Sequence, residues 1–309
     1  MRATFIHTVL LFLMLLSTGI HVSAQHLPLF SQYMFNPVVI NPAYAGSQES
    51  LSLSSYCRKQ WTNVEGAPST LTLSAHSPLK NRKVALGLIL TNDQFGVNNQ
   101  NIINAIYAYR IRLSEKSVLS FGLQANAGRF TSDFSSLDTR DPNDPTFSQS
   151  IRSAYLLNFG AGIYYNRPKF FAGFSMPYIL NNGITSDMSN TVTGINRHYF
   201  FSTGVVIDIS DDLKYKPFLL FRASNNMDSQ IDLNNMILFR DVLWLGVSYR
   251  SFSSINYIAR VLINDQLTIG YGYDQMIGKL RPGIGGSHEF LITYNFRFMG
   301  SNIRSPRYF

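Results

Sequence analysis

A period of two recurs in this sequence too often to be accidental, and it constrains the fold more than any other feature. From Ile103 to Leu113 the apolar set Ile103, Ala105, Tyr107, Tyr109, Ile111 and Leu113 opposes Asn104, Arg110 and Arg112. Leu119, Phe121, Leu123, Ala125 and Ala127 oppose Ser120, Gly122, Gln124, Asn126 and Gly128 in the same way. Near the end, Phe290, Ile292, Tyr294, Phe296 and Phe298 oppose Thr293, Asn295 and Arg297. Successive side chains of a strand point to opposite faces, so each segment has one apolar and one polar face. Lipid on the first face and water on the second is the pattern of a transmembrane strand.

Strands are predicted near 49–57, 69–77, 84–91, 103–113, 117–128, 154–165 and 169–175. In the second half they fall near 198–208, 214–223, 231–239, 242–251, 256–264, 266–274 and 288–298. The implied fold is all-β: a single transmembrane outer-membrane barrel of about 14 antiparallel strands, an even number as in bacterial barrels. The connections alternate in length as such a barrel requires. Residues 58–68 are long, Ser77–Arg82 short, 92–102 long and Ser114-Glu115-Lys116 short, and loops 129–153 and 176–197 are longest. Asn166-Arg167-Pro168, Ser210-Asp211-Asp212, Arg240-Asp241 and Asn264-Asp265 are tight. Short turns belong at the periplasmic rim and long loops outside, which puts both termini in the periplasm.

Composition agrees. Charged residues make up 14% of the chain, against about 25% in soluble domains, and Phe (23) and Tyr (17) are abundant. A wall facing lipid accounts for the deficit. A soluble two-sheet sandwich would also alternate, but this many strands exceeds the usual open sheet. Aromatic residues near strand ends (Tyr56, Trp61, Tyr164, Tyr165, Tyr199, Trp244, Tyr271) fit interfacial girdles. The balance of 26 Lys and Arg over 18 Asp and Glu gives +8, suited to acidic lipid headgroups or an acidic partner surface. The basic residues are scattered, so no nucleic-acid partner is expected.

Residues 1–24 read as a signal peptide: Arg2, an apolar run from Val9 to Leu16, then Val22-Ser23-Ala24 before Gln25. The run is well short of the ~20 residues a membrane-spanning helix needs. Cys57, the one cysteine, is far from the cleavage region and can form neither a lipidated mature start nor an intramolecular disulfide. The mature chain then divides into a 25–48 N-terminal segment, a 49–298 barrel and a 299–309 tail.

Within the N-terminal segment, Ser31–Ser47 reads SQYMFNPVVINPAYAGS. Pro37 and Pro42 remove backbone donors and push Asn36 and Asn41 out of helix geometry, so the segment is expected to be extended. Its Tyr33, Met34, Phe35, Val38, Val39, Ile40 and Tyr44 are too apolar for a solvated linker and imply packing, as at a barrel mouth. An ordinary N-terminal strand is the plainer reading.

Together with Gln60-Trp61, Glu65-Gly66-Ala67-Pro68, Gly270-Tyr271-Gly272-Tyr273-Asp274 and Gly286-Ser287-His288-Glu289, this segment resembles the PorP/SprF family of type IX secretion and gliding machinery. The matches run across nearly the whole mature chain. The resemblance implies an outer-membrane protein that anchors or assembles secretion components and supports secretion or surface attachment of large cargo proteins. The implied cargo is an adhesin with a C-terminal sorting domain. The implied periplasmic partners are a peptidoglycan-binding lipoprotein and the secretion ring. Residues expected to dock partners are Tyr33, Phe35, Asn36, Pro37, Asn41, Pro42, Tyr44, Gly46, Trp61, Asp274, His288 and Glu289. The competing class is a channel or hydrophobic-ligand transporter.

No catalytic or cofactor site is expected. Ser287, His288 and Glu289 resemble half a hydrolase site, but neighbouring strand residues point to opposite faces, so Ser287 and His288 cannot share a pocket. A loop-closing turn, with Ser287 and Glu289 accepting backbone donors, is the plainer role. The glycines of Gly270–Asp274 leave inward space, either for the N-terminal segment or for wall curvature. Asp133, Asp138, Asp141 and Asp144 offer oxygen ligands without the spacing of a calcium loop. The six histidines show no metal spacing, and no phosphate loop or nucleophile elbow appears. Arg110, Arg112, Arg222, Arg250, Arg260 and Arg297 fall on the inward set, where they either pair with acids and waters or bias passage toward anions.

Overall fold

Alternation between two solvents shapes the wall. In β5 (Ser117–Asp133) Phe121 and Leu123 are exposed while Ser120, Gln124 and Asn126 are buried, so lipid-compatible side chains point out and polar ones in. The same phase runs through the other long strands, with Leu157, Phe159 and Ile163 outward on β6 (Ile151–Arg167) and Asn158 inward. The structure is a computed structural model that describes residues 30–134, 151–180, 182–185, 191–195, 197–224, 227–251, 253–277, 281–296 and 308. The signal residues, Asp138, Asp141, Asp144, Arg297 and Phe298 lie outside the described residues.

The strands form a closed antiparallel barrel of fourteen. Its remaining strands are β1 (Leu51–Lys59), β2 (Ser69–Pro78), β3 (Val84–Phe95), β4 (Asn98–Ser114), β7 (Phe170–Met176), β10 (His198–Val205), β12 (Leu213–Ser224), β13 (Met227–Phe239), β14 (Leu243–Arg250), β15 (Ser254–Leu262), β16 (Leu267–Met276) and β17 (Ser287–Phe296). The two-residue β11 (Ile207–Asp208) continues β10 past Val206, whose N–H bonds the Lys169 carbonyl at 2.9 Å. The ring runs β10-β7-β6-β5-β4-β3-β2-β1-β17-β16-β15-β14-β13-β12 and closes where β12 pairs with β10. First and last strands meet in register, Leu51 opposite Phe296 and Lys59 opposite His288. Among the described residues no helix is long and apolar enough to cross a membrane.

One rim carries tight turns, such as Ser114–Ser117 and Phe239–Leu243. In the latter Val242 N–H donates to the Phe239 carbonyl at 3.0 Å, and Arg240 and Asp241 between them both have positive φ (50° and 56°), as a type I′ turn demands. The other rim carries the longer excursions. One of them, between β7 and β10, holds a hairpin of β8 (Asn182–Thr185) and β9 (Thr191–Ile195). Residues 92–102, expected to form a long loop, instead extend β3 and β4 to a tight turn between Phe95 and Asn98. There the side chains of Asn92, Asn99 and Asn101 bond one another at 2.7–3.2 Å. Polarity marked these residues as loop, but a strand that clears the bilayer can be polar on both faces.

Candidate functional site: the filled lumen

The barrel encloses its own N-terminal segment. Phe30 through Val38, together with Ile40 through Gly46, are buried, with Tyr33, Val38, Ala43 and Tyr44 at 1% exposure or less. The backbone is not extended. It makes three 3-10 turns, Tyr33–Phe35, Pro37–Val39 and Pro42–Tyr44. Asn36 (φ −140°, ψ 62°) and Asn41 (φ −140°, ψ 109°) do stay outside the helical region, as the following prolines require. Each proline then opens a turn, because its fixed φ suits a first helical position. Asn41 caps the third turn, accepting from Ala43 N–H at 3.0 Å.

The segment spans the lumen from wall to wall. The Gln32 side chain lies against β16 and β17, donating to the Glu289 carbonyl at 3.4 Å, while Asn41 donates to the Ile163 carbonyl of β6 at 3.1 Å. From β6 through β5, β4, β3, β2, β1 and β17 to β16 is seven steps around a ring of fourteen, so these are opposite walls. Between them Asn234 of β13 donates to Tyr33 Oη (2.9 Å), Asn36 donates to Ser74 Oγ of β2 (2.9 Å) and Ser175 of β7 donates to the Ile40 carbonyl (2.6 Å).

The wall is hollowed to receive it. A Cβ on Gly122 of β5 would overlap the Ala43 nitrogen and Pro42 carbonyl carbon, and one on Gly162 of β6 would meet Asn41 Oδ1. A Cβ on Gly270 would meet Gln32 Oε1, so the glycines of Gly270–Asp274 do hold the segment. Three of the aromatics assigned to girdles also face inward. Tyr56 packs on Phe30 with ring centroids 4.1 Å apart, Tyr164 on Tyr44 at 5.3 Å, and Trp244 on Phe35 at 6.1 Å. They share parity with buried polar neighbours such as Ser54 and Arg58, and parity overrides nearness to a strand end.

Two charged clusters hold it. At the long-loop rim, Ser31 N–H donates to both oxygens of Glu289 (2.9 and 3.0 Å). Arg58 pairs with Glu289 and donates to Asp274 at 2.9 Å, and Arg250 donates to Asp232 at 3.1–3.2 Å. The Asn256 amide, its nitrogen toward the carboxylate, donates to Asp274 at 3.1 Å and to Ser31 Oγ at 2.7 Å. With Arg222 nearby, three buried guanidiniums face three buried carboxylates, so the cluster is neutral overall. Near the other rim, Lys216 lies 5.4 Å from the Trp244 ring and 5.7 Å from Phe35, and Arg260 lies 4.3 Å over Phe35. Lys216 also donates to the carbonyl of Tyr308 in the C-terminal tail.

The family model for the type IX secretion system membrane protein PorP/SprF matches residues 22–294, which includes this segment and every wall strand but the last residues of β17. The chain belongs to the PorP/SprF family. It is therefore an outer-membrane component of the type IX secretion system. No curated protein matches it. Among solved structures it is similar to the CymD monoaromatic hydrocarbon channel, with TM-score 0.49, 11% identity, and coverage of 91% of this chain and 96% of that one. It is also similar to the Acinetobacter baumannii outer membrane protein Omp33, with TM-score 0.46, 9% identity, and coverage of 80% and 98%. A Pseudomonas aeruginosa FadL homologue gives TM-score 0.45, 11% identity, and coverage of 88% and 95%.

In this PorP/SprF barrel the residues expected to dock partners separate into two groups. Tyr33, Phe35, Asn36, Pro37, Asn41, Pro42, Tyr44 and Gly46 are buried against the chain's own strands, as are Asp274 and Glu289. Trp61 is half-buried, with φ of 45° and its N–H 3.4 Å from Ser287 Oγ. His288 points outward and bonds Tyr271 Oη at 2.7 Å, on the opposite face from Ser287 and Glu289. Of the arginines, Arg110, Arg222 and Arg250 are buried, Arg260 reaches Phe35, and Arg112 is exposed at the end of β4. Among the described residues no three His, Cys, Asp or Glu side chains gather so as to hold a metal ion.

Sequence reasoning missed Gln32, Gly122, Gly162 and Lys216. The glycines had a usable signal, since they occupy inward positions in otherwise well-formed strands, where a missing side chain implies a close neighbour. It also missed the inward fold of the connection after β7. The Pro177 carbonyl there accepts from Gln124 (2.8 Å) and Asn126 (2.9 Å), and Asn158 Oδ1 accepts from Ile179 and Leu180 N–H at 3.0 Å.

Proposed function

We propose that this PorP/SprF barrel works as a closed docking body rather than a conduit. In this reading it anchors type IX components at the periplasmic rim and supports secretion or surface attachment of specific large cargo, of the gliding-adhesin kind, at the long-loop rim. The observation that carries it is the wall-to-wall segment: a lumen bonded across by Gln32, Tyr33, Asn36 and Asn41 is ill suited to passing solutes. Protein contact at the two rims then remains as the work of the molecule. A peptidoglycan-binding lipoprotein and the periplasmic ring are the proposed partners on one side, and a cargo C-terminal sorting domain on the other. No reaction is assigned to it.

The test is deletion of the gene in its own host, with a complemented strain as control, followed by comparison of the surface and secreted proteomes. Selective loss of one large surface protein supports a cargo-specific partner, and broad loss of type IX cargo a core component. An unchanged proteome overturns the reading.

A further inference from the structure

The segment that fills the lumen has a direction. Its first described residues lie at the rim of long connections: Ser31 bonds Glu289 and Asn256, each in the opening turn-proximal residues of β17 and β15. Arg58, beside them, is the penultimate residue of β1, and Arg250 is the last of β14. These strand ends border the 60–68, 251–253 and 277–286 connections. The segment's last residues lie at the opposite rim. Gly46 N–H donates to His76 Nδ1 at 3.2 Å, and a Cβ on Gly46 would press on Pro78 and Ala85, which flank the short 79–83 turn. β1 starts from that rim at Leu51.

We infer that the chain is threaded through its own barrel from the long-loop mouth to the short-turn mouth, so that the polypeptide ahead of Phe30 leads to the cell-surface side. Reach supports this direction. With cleavage after Ala24, residues 25–29 extend at most ~18 Å, short of the ~25 Å apolar band they would have to recross to reach the periplasm. The lumen they would recross is already occupied by the same segment. The first described residues of the segment thus open onto the surface-facing rim, although the first wall strand begins on the periplasmic side. This goes beyond the proposed docking function and rests on the barrel spanning the outer membrane with its short turns in the periplasm and on cleavage after Ala24.

Impermeant maleimide labelling of cells tests it, in a Cys57→Ser background with single cysteines His26→Cys, Glu65→Cys (long connection) and Asp265→Cys (short turn). Heat-modifiable migration on gels confirms that each variant forms the barrel. His26→Cys is expected to label in intact cells together with Glu65→Cys, while Asp265→Cys labels only after the outer membrane is permeabilised. Labelling of His26→Cys only with Asp265→Cys overturns the inference, as does a folded variant that labels under neither condition. If Glu65→Cys and Asp265→Cys exchange behaviour, the barrel is reversed and the cell-surface placement is overturned, while threading from the long-loop mouth stands or falls on whether His26→Cys follows Glu65→Cys.

Discussion

Gly122 and Gly270 both face the enclosed segment, but substituting them carries different consequences. A Cβ at Gly122 meets main-chain atoms of Pro42 and Ala43, which can yield only by moving the turn, whereas one at Gly270 meets the end of the flexible Gln32 side chain. Gly122→Ala is expected to destabilise the barrel by about 1–3 kcal/mol and Gly270→Ala by less, measured as unfolding midpoints in detergent. Equal midpoints would mean that the segment is not seated against β5. Glu289→Gln should cost about 3–5 kcal/mol, because it leaves Arg58 with Asp274 alone and weakens the bonds to Ser31 N–H. The same measurement checks it, and protease sensitivity ahead of β1 should rise with it. At this scale the sequence was legible by parity. The period of two placed Glu289 and Ser287 on one face and His288 on the other, which argued against a hydrolase. Parity was also available for Tyr56, Tyr164 and Trp244, but their nearness to strand ends suggested a girdle. What parity cannot supply is the neighbour across the lumen: the glycines announced a close approach without revealing that Gln32 makes it.

The wall strands were readable because lipid and lumen impose opposite demands on alternate residues, and that demand is local to each strand. The N-terminal segment was not, because its solvent is the rest of the chain. Pro37 and Pro42 limit the residues before them, yet the same rings begin 3-10 turns once the apolar side chains have walls on all sides to pack against. The Phe95–Asn98 hairpin escaped for a related reason: past the bilayer the alternation that marks a strand is no longer required. Depth in the membrane gives a direct check on the wall. Leu123 lies well inside β5 and Leu113 next to the end of β4, and both are exposed. Leu123→Arg is expected to cost about 2–4 kcal/mol and Leu113→Arg about 0–1, read from folding titrations into lipid vesicles. Similar costs at both positions would contradict the strand placement.

Taken whole, the molecule is a cylinder whose interior is supplied by its own first residues. Deleting residues 30–46 removes the bonds that cross the lumen while leaving every wall strand intact. The shortened barrel is expected to conduct ions in planar bilayers and the full chain to stay closed. Steady conductance by the full chain would favour the channel class instead. The fastening of Ser31 also has a consequence for a truncated chain. Ser31 is made before any strand, and Glu289, the carboxylate that receives it and Arg58, belongs to the last one. A polypeptide cut short before β17 lacks that acid, so Ser31 N–H loses its acceptor and Arg58 is left with Asp274 alone. The buried cluster thereby ties the start of the lumen segment to the strand that closes the ring, two stretches of chain 258 residues apart.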